Sequence, residues 1–327
     1  MKKILITGGA GFIGFHLAKF HSKNGDHVII IDNLSKDNQK IDFELKEFIR
    51  KDNIDFIEFD LTDKSGSIEL PNDLDIVYHL AAINGTELFY KIPYELCRNN
   101  LLLTINLLDI LKDINVKRIV YTSTSEVYAG GEKFGLVPIP TNEEVPIFFP
   151  QPTDKRFSYA TSKFMGEFLS FNFGDLISVP TTVIRFHNIY GPRMGNRHVI
   201  PQFIERALEF SDHFPLYGAN NTRAFCFIDD AIKALTSVAA VDFSNKQIIH
   251  IGNQDEEISM IDLAECICRL MNKSFTFIDK GAPSMSVNRR CPDTKKLYEF
   301  IGHKASTPLI DGLKITIDWY QEIFSKI

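Results

Sequence analysis

Tyr159-Ala160-Thr161-Ser162-Lys163 places a phenol and an ammonium four residues apart, the spacing at which two side chains share one face of a helix. A free phenol has a pKa of about 10 and is a poor base at neutral pH. A nearby ammonium favours the phenolate and lowers that value. Tyr159 is therefore expected to take a proton from a substrate hydroxyl, with Lys163 supporting it. Exposed pairs at this spacing are common, so chemistry here requires a third group. The run Tyr121-Thr122-Ser123-Thr124-Ser125-Glu126-Val127-Tyr128 supplies it: Thr124 is placed to donate a hydrogen bond to the oxygen that Tyr159 serves.

A base on a hydroxyl oxidises nothing unless a hydride acceptor lies beneath the carbon. Thr7-Gly8-Gly9-Ala10-Gly11-Phe12-Ile13-Gly14 reads as the cradle for one. Gly8, Gly11 and Gly14 would bend a strand sharply into a helix, bringing backbone N–H groups and the helix N-terminus to a pyrophosphate. The spacing is Gly-x-x-Gly-x-x-Gly, and such a turn alone could be no more than a tight connection. Asp32, about twenty residues on at the end of the second strand, is the carboxylate that accepts from adenosine ribose hydroxyls and repels a 2′-phosphate. No arginine sits beside it, so NAD is expected rather than NADP. Asp60 and Leu61, ending the third strand, could approach the adenine, or Asp60 could simply be an N-cap for the next turn.

The elements that must hold these residues form a strand–helix alternation. Lys3–Ile6, His27–Ile31, Asp55–Phe59, Ile76–Leu80 and Arg118–Tyr121 are short and apolar, as strands buried on both faces are. Amphipathic stretches such as Ile13–Asn24 and Pro93–Ile114 lie between them. The expected fold class is α/β, a Rossmann-type doubly wound parallel sheet with a smaller C-terminal substrate lobe. Leu101–Leu111 is apolar on nearly every side and calls for cover from the sheet and from something else, such as a second subunit. Pro138–Pro152, with five prolines, is expected to be a long loop over a site. Beyond it, Ser158–Phe173, Pro201–Glu209, Met260–Met271 and Gly312–Phe324 read as helices, Thr181–Phe186 and Gln247–Ile251 as strands, and Lys280–Pro292 as polar connection. The expected division is residues 1–185 for the nucleotide-binding lobe, rejoined by Gln247–Ile251, and 186–327, interleaved, for the substrate lobe.

Composition narrows the function classes. The chain has 327 residues, 44% of them hydrophobic, and a net charge of −6 with mixed signs, so no basic surface recommends nucleic acid. Five cysteines without a paired spacing suit a reducing compartment and argue against a disulfide framework or a metal site. No apolar stretch approaches a membrane span, and glycines interrupt the apolar start before a signal-peptide core forms. A cytoplasmic protein with no membrane partner is expected.

Taken together, TGGAGFIG, His79-Leu80-Ala81-Ala82, TSTSEVY, YATSK and Arg185-Phe186-His187-Asn188-Ile189-Tyr190-Gly191-Pro192-Arg193 resemble the extended short-chain dehydrogenase/reductases, and more closely their nucleotide-sugar epimerase/dehydratase branch. The resemblance runs from residue 3 to about residue 300. It implies bound NAD, a nucleotide-diphosphate sugar as substrate, and a homodimer built on the helices around Pro93–Ile114 and Ser158–Phe173. It implies Thr124, Tyr159 and Lys163 as the catalytic triad. On the cofactor side it adds Asn33, Leu80, Ala81, Ala82, Asn99 and Thr122 to the glycine turn and Asp32.

All such enzymes first oxidise the sugar, generally at C4, and a positioned base then decides the fate of the ketone. Thr124-Ser125-Glu126 resembles the Thr-Ser-Glu of GDP-mannose 4,6-dehydratases and UDP-glucuronate decarboxylases, which makes Glu126 the expected second acid/base. Asn84-Gly85-Thr86-Glu87 should touch the sugar and departs from the common epimerases and decarboxylases, pointing to an unusual substrate. Arg223 and Arg290 are the expected pyrophosphate clamps, since a guanidinium meets phosphate bidentately. Arg290 also matches an arginine that decarboxylases place near the substrate carboxylate. Asn188, Arg197, Val199 and Ser125 complete the expected substrate side, and His187 is expected to be packed rather than catalytic. The implied setting is surface-polysaccharide sugar biosynthesis. The alternatives are a 4-epimerase that makes no use of Glu126, a net reductase with exchanging cofactor, or a non-catalytic NAD-binding sensor.

Overall fold

β-branched residues dominate the short strands, and they pair into one parallel sheet. The computed structural model describes residues 1–35, 43–63, 66–210, 212–242, 245–283 and 286–324. Seven strands lie in the spatial order Gln247–Ile251, Thr181–Phe186, Ile119–Thr124, Ile76–His79, Lys3–Thr7, His27–Asp32, Ile54–Glu58. Lys3–Thr7 is an inner strand: Ile4 is in register with Ile76 on one side and Val28 on the other, and both pairings are parallel. Ile4, Leu5, Ile6, Val28 and Ile30 are fully buried, which explains why these strands are apolar throughout instead of alternating.

The chain divides into two compact units. The first comprises Met1–Thr124, Thr153–Arg185 and Ile232–Ile249, and carries most of the seven-stranded sheet. Helix Phe12–Lys23 comes after the first strand, and helices Pro93–Leu111 and Ser158–Leu176 pack along each other. Pro93 opens its helix at the position where a missing N–H costs nothing. Leu103, Leu107, Leu108 and Leu111 join the strand residues Leu5, Val77 and Ile119 in one core, while Leu101 and Leu102 stay partly exposed.

The second unit comprises Ser125–Pro152, Phe186–Ala231 and His250–Ile327. Its small sheet sets Thr222–Ala224 between antiparallel Glu257–Ser259 and parallel Arg289–Arg290. One expectation is corrected here. Lys280–Pro292 is not merely connection, because it contains the strand Arg289–Arg290; residues 284–285 of that stretch lie outside the described residues. Pro138–Pro152 lacks regular structure but is tied down. Thr141 is fully buried, its N–H donates to the Cys291 carbonyl at 2.9 Å, and its own carbonyl accepts from Asp293 N at 2.7 Å. Buried backbone must find partners, and this loop finds them on the segment after Arg290.

Candidate active site

The glycine turn is shaped by close approach. Gly8 has φ +72°, and a Cβ there would sit 2.7 Å from Ala81 N, so the turn touches the end of the Ile76–His79 strand only because the side chain is absent. Gly11 precedes helix Phe12–Lys23 with no side-chain cap, leaving the first-turn N–H groups of that helix to a ligand. Asp32 Oδ2 accepts from Ala10 N at 3.0 Å, joining the second strand to the turn. Burial pushes the Asp60 carboxyl up, yet donors from Thr62 and Asn33 together hold it below its ordinary value. Asp60 is thus both an anchor for Asn33 and a cap for Thr62, while Leu61 is buried in the core. A cradle that a Cβ would fill, an uncapped helix start and a carboxylate at the second strand fit NAD. When bound, NAD supplies a hydride acceptor.

The strand that ends at Thr124 lies against the helix that carries Tyr159 and Lys163. Lys163 Nζ stands 4.3 Å from the centroid of the Tyr121 ring, and Tyr121 Oη donates to the Lys163 carbonyl at 3.4 Å. Two residues along the strand, Ser123 Oγ donates to Glu167 Oε1 at 2.5 Å. Glu167 is in turn gripped by Arg185 through Nε at 2.9 Å and Nη2 at 2.6 Å, a bidentate pair that is buried. Burial pushes the Lys163 ammonium down to about 7 against the pull of Glu167. The Tyr159 ring is buried and stacked on Phe89. This helix face can hold a phenol beside an amine that is poised to carry or release a proton near neutral pH.

Beneath these residues lies a polar network that sequence reasoning missed. His79 Nδ1 lies 2.7 Å from Thr7 Oγ1, and its Nε2 lies 3.1 Å from Thr104 Oγ1. Burial, with Lys163 adding to it, pushes His79 down to about 3, so the ring is neutral at physiological pH. Asn100, not Asn99, is the buried amide. Its Oδ1 accepts from Ile83 N at 2.7 Å and its Nδ2 donates to Ser162 Oγ at 3.1 Å, whereas Asn99 is partly exposed and accepts from Arg98. Thr122 Oγ1 donates to the His79 carbonyl at 2.8 Å, bracing the strand ends, and the partly buried Leu80, Ala81 and Ala82 come directly after. Gly85, at φ +139°, starts the short helix Thr86–Lys91; Asn84, Thr86 and Glu87 are exposed beside it.

In the second unit, the two arginines singled out by sequence are neighbours in register, Arg223 opposite Arg290. Arg223 Nη2 donates to the Val287 carbonyl and Nη1 to the Thr222 carbonyl, both at 2.7 Å. Arg290 is buried and meets two carboxylates: Nη1 to Glu126 Oε1 at 2.6 Å and Nε to Glu132 Oε2 at 2.9 Å. Burial opposes the Arg290 charge, but the two carboxylates hold its proton more tightly than usual. Burial pushes Glu132 up, opposed by Arg290. Ser125 is buried at the head of the short 3-10 helix Ser125–Tyr128 that presents Glu126. Asn188, at φ +43°, donates to the Ala224 carbonyl at 3.0 Å. Val199 opens a helix, and Arg197 just before it is exposed. His187 is fully buried, its ring centroid 4.4 Å from that of His250, whose Nε2 lies 2.7 Å from Tyr128 Oη. No group of residues able to hold a metal ion occurs among the described residues, and none of their helices is long and apolar enough to cross a membrane.

Comparison with known proteins agrees with this architecture. A UDP-N-acetyl-alpha-D-glucosaminuronate decarboxylase from Bacillus cytotoxicus is 36% identical, over 98% of this chain and 98% of that protein. A UDP-glucuronate 4-epimerase from Thermodesulfobacterium geofontis is 28% identical over 97% and 96%. Among solved structures, UDP-glucuronic acid 4-epimerase from Bacillus cereus in complex with NAD superposes with a TM-score of 0.81 at 25% identity, covering 99% of this chain and 98% of that one. The profile of the NAD dependent epimerase/dehydratase family matches residues 4–252, which takes in the glycine turn, the Thr-Ser-Glu strand end and the Tyr-Lys helix. The chain belongs to that NAD-dependent family of nucleotide-sugar epimerases and decarboxylases.

Proposed function

We propose that this protein is a lyase that removes carbon dioxide from a UDP-linked uronic acid through a transient 4-keto sugar. The single observation that carries the reading is the contact of the half-buried Glu126 with the buried Arg290, which joins a candidate acid/base to a fixed cation in one unit. The most similar of the relatives named above supports it, being a decarboxylase.

In this reading Tyr159 takes the proton of the sugar C4 hydroxyl while Thr124 donates to the same oxygen, and Lys163 beneath the helix face supports the phenolate. The ketone so formed weakens the bond to the carboxylate two carbons away, because the electrons released by its loss delocalise onto the ketone oxygen. Arg290 faces the carboxylate, and Glu126, two residues after Thr124 in the chain, manages the proton that replaces it. Asn84–Glu87 contacts the sugar, and Asn188 and Arg223 contact the diphosphate. The same reading includes a cytoplasmic homodimer serving surface-polysaccharide sugar biosynthesis.

Incubation with a panel of UDP-, GDP-, CDP- and dTDP-sugars in deuterated water, followed by mass spectrometry, tests it. Loss of carbon dioxide from a UDP-uronic acid, with one deuterium gained, is the expected result. Water loss, or an unchanged mass with altered retention, would reassign the protein as a dehydratase or a 4-epimerase. No turnover of any sugar, with NAD bound, would leave the sensor reading.

A further inference from the structure

Glu132 has no place in the sequence motifs, yet it is the most completely buried member of the cluster around Arg290. It sits on the short helix Ala129–Lys133, just after the 3-10 turn that presents Glu126. The two carboxylates divide one guanidinium, Glu132 at Nε and Glu126 at Nη1. Arg290 Nη2 and Glu132 Oε1 are buried with no hydrogen-bond partner among the described residues. Arg185 and Glu167 are arranged differently. There one guanidinium grips both oxygens of one carboxylate, an arrangement that locks the anion. Around Arg290 neither carboxylate has that grip.

We propose that Glu132 is a positioning residue for Glu126: by occupying one edge of Arg290 it prevents that guanidinium from neutralising Glu126 alone, and so leaves Glu126 able to exchange a proton during the reaction. The inference rests on the reading of Glu126 as the second acid/base. Its physical basis is that a neighbouring like charge disfavours the ionised form, while an undivided opposite charge would favour it. Other charged groups border the cluster. Arg223 stands beside Arg290 in register and acts on Glu132. Glu257, on the adjoining strand, is committed to Arg289 and Thr222. Lys133 gives its ammonium to the Ser286 carbonyl at 3.1 Å. Burial raises Glu132, Arg290 opposes that shift, and the nearby Glu126 charge adds to it.

Glu132→Gln keeps an oxygen for Arg290 Nε but removes the charge. The test monitors two steps in single turnovers with UDP-glucuronic acid and UDP-N-acetylglucosaminuronic acid: nicotinamide reduction, and release of carbon dioxide. The alkaline limb of the second step, where Glu126 loses the proton it must deliver, should move to lower pH by about one unit, with its plateau within about threefold of wild type. The first step should be unchanged. A fall in rate at every pH without a shift of the limb, or no change at all, overturns the proposal. Glu126→Gln separates the two ideas. If it turns over normally, the role of Glu126 fails; if it stalls after oxidation while Glu132→Gln leaves the limb unmoved, only the role of Glu132 fails. Should Glu132→Gln not fold, Glu132→Met removes the same charge, and the same shift is required of it.

Discussion

The ring of Phe89 lies flat against the ring of Tyr159, with centroids 5.1 Å apart and planes 7° from parallel. Both rings are buried with Leu96, and the Arg156 guanidinium lies 5.4 Å from the Phe89 centroid. A stacked aromatic pair contributes about 0.5–1.5 kcal/mol beyond the area it buries, and its geometry resists rotation of either ring. Phe89 therefore fixes the plane in which the phenol can approach a hydroxyl.

Phe89→Leu should cost about 1–3 kcal/mol of stability and slow substrate oxidation by about tenfold with little change in KM, because the phenol loses its guide. Tyr159→Phe keeps the stack, so it should unfold near the wild-type temperature while abolishing oxidation. Thermal unfolding and stopped-flow absorbance of the nicotinamide measure both. An unimpaired oxidation rate in Phe89→Leu would show that the stack has no part in orienting the base.

These relationships mark where the sequence stops being legible. The seven strands and the glycine turn are local patterns, apolar runs and fixed spacings, and the sheet contains every strand those patterns pointed to. Phe89 sits in a helix of six residues, too short for a period to emerge. The Glu132–Arg290 bond spans 158 positions and ends on a strand of two residues, so nothing in the local sequence joins them. Asn100 and Asn99 are adjacent and chemically identical. Only the packing of their helix decides that Asn100 is buried. Pro138–Pro152 is legible as a loop because its prolines forbid regular pairing, but single bridges such as Thr141 to Cys291 and Asp293 leave no compositional trace.

The helix that carries Tyr159 can lie on the strand bearing Thr124 because Gly166 faces Tyr121. A Cβ on Gly166 would fall 1.9 Å from Tyr121 Oη. Gly166→Ala should therefore destabilise by about 1–3 kcal/mol despite alanine's better helix propensity. Removing the obstructing hydroxyl with Tyr121→Phe in the same chain should recover part of that loss, because the ring Cζ behind it still crowds the added methyl. Denaturant unfolding of the two single variants and the double variant gives the coupling, and strict additivity would show that the contact is not the cause.

Lys163 predicts a pH dependence of stability with a definite sign. Burial lowers its folded-state pKa from 10.5 to about 7, so between those values the unfolded chain binds the proton and the folded chain does not. Stability must then rise with pH across that window and level off above it. Lys163→Met lacks this dependence. The wild-type-minus-variant difference from urea unfolding, measured without cofactor, should become more favourable to wild type from about pH 7 to about pH 10.5. Parallel curves would mean that the ammonium is solvated in the folded state.

The proposed homodimer has a specific surface to answer for. In the first unit, helices Pro93–Leu111 and Ser158–Leu176 pack side by side and still expose Tyr94, Met165, Phe168 and Leu176. Met165, Phe168 and Leu176 fall three and eight residues apart, so they form one stripe along the helix that also carries Tyr159 and Lys163. Apolar side chains grouped on one stripe, rather than scattered, are what an interface between copies requires. Light scattering on the eluting protein should give twice the chain mass. Phe168→Glu places a charge in the middle of the stripe and should shift the protein to monomer, leaving the fold intact by circular dichroism. Because the same helix positions the phenol and the amine, the monomer should also oxidise substrate more slowly. A wild-type monomer at micromolar concentration would remove the dimer from the reading, and a fully active Phe168→Glu monomer would show that the pairing does not support the site.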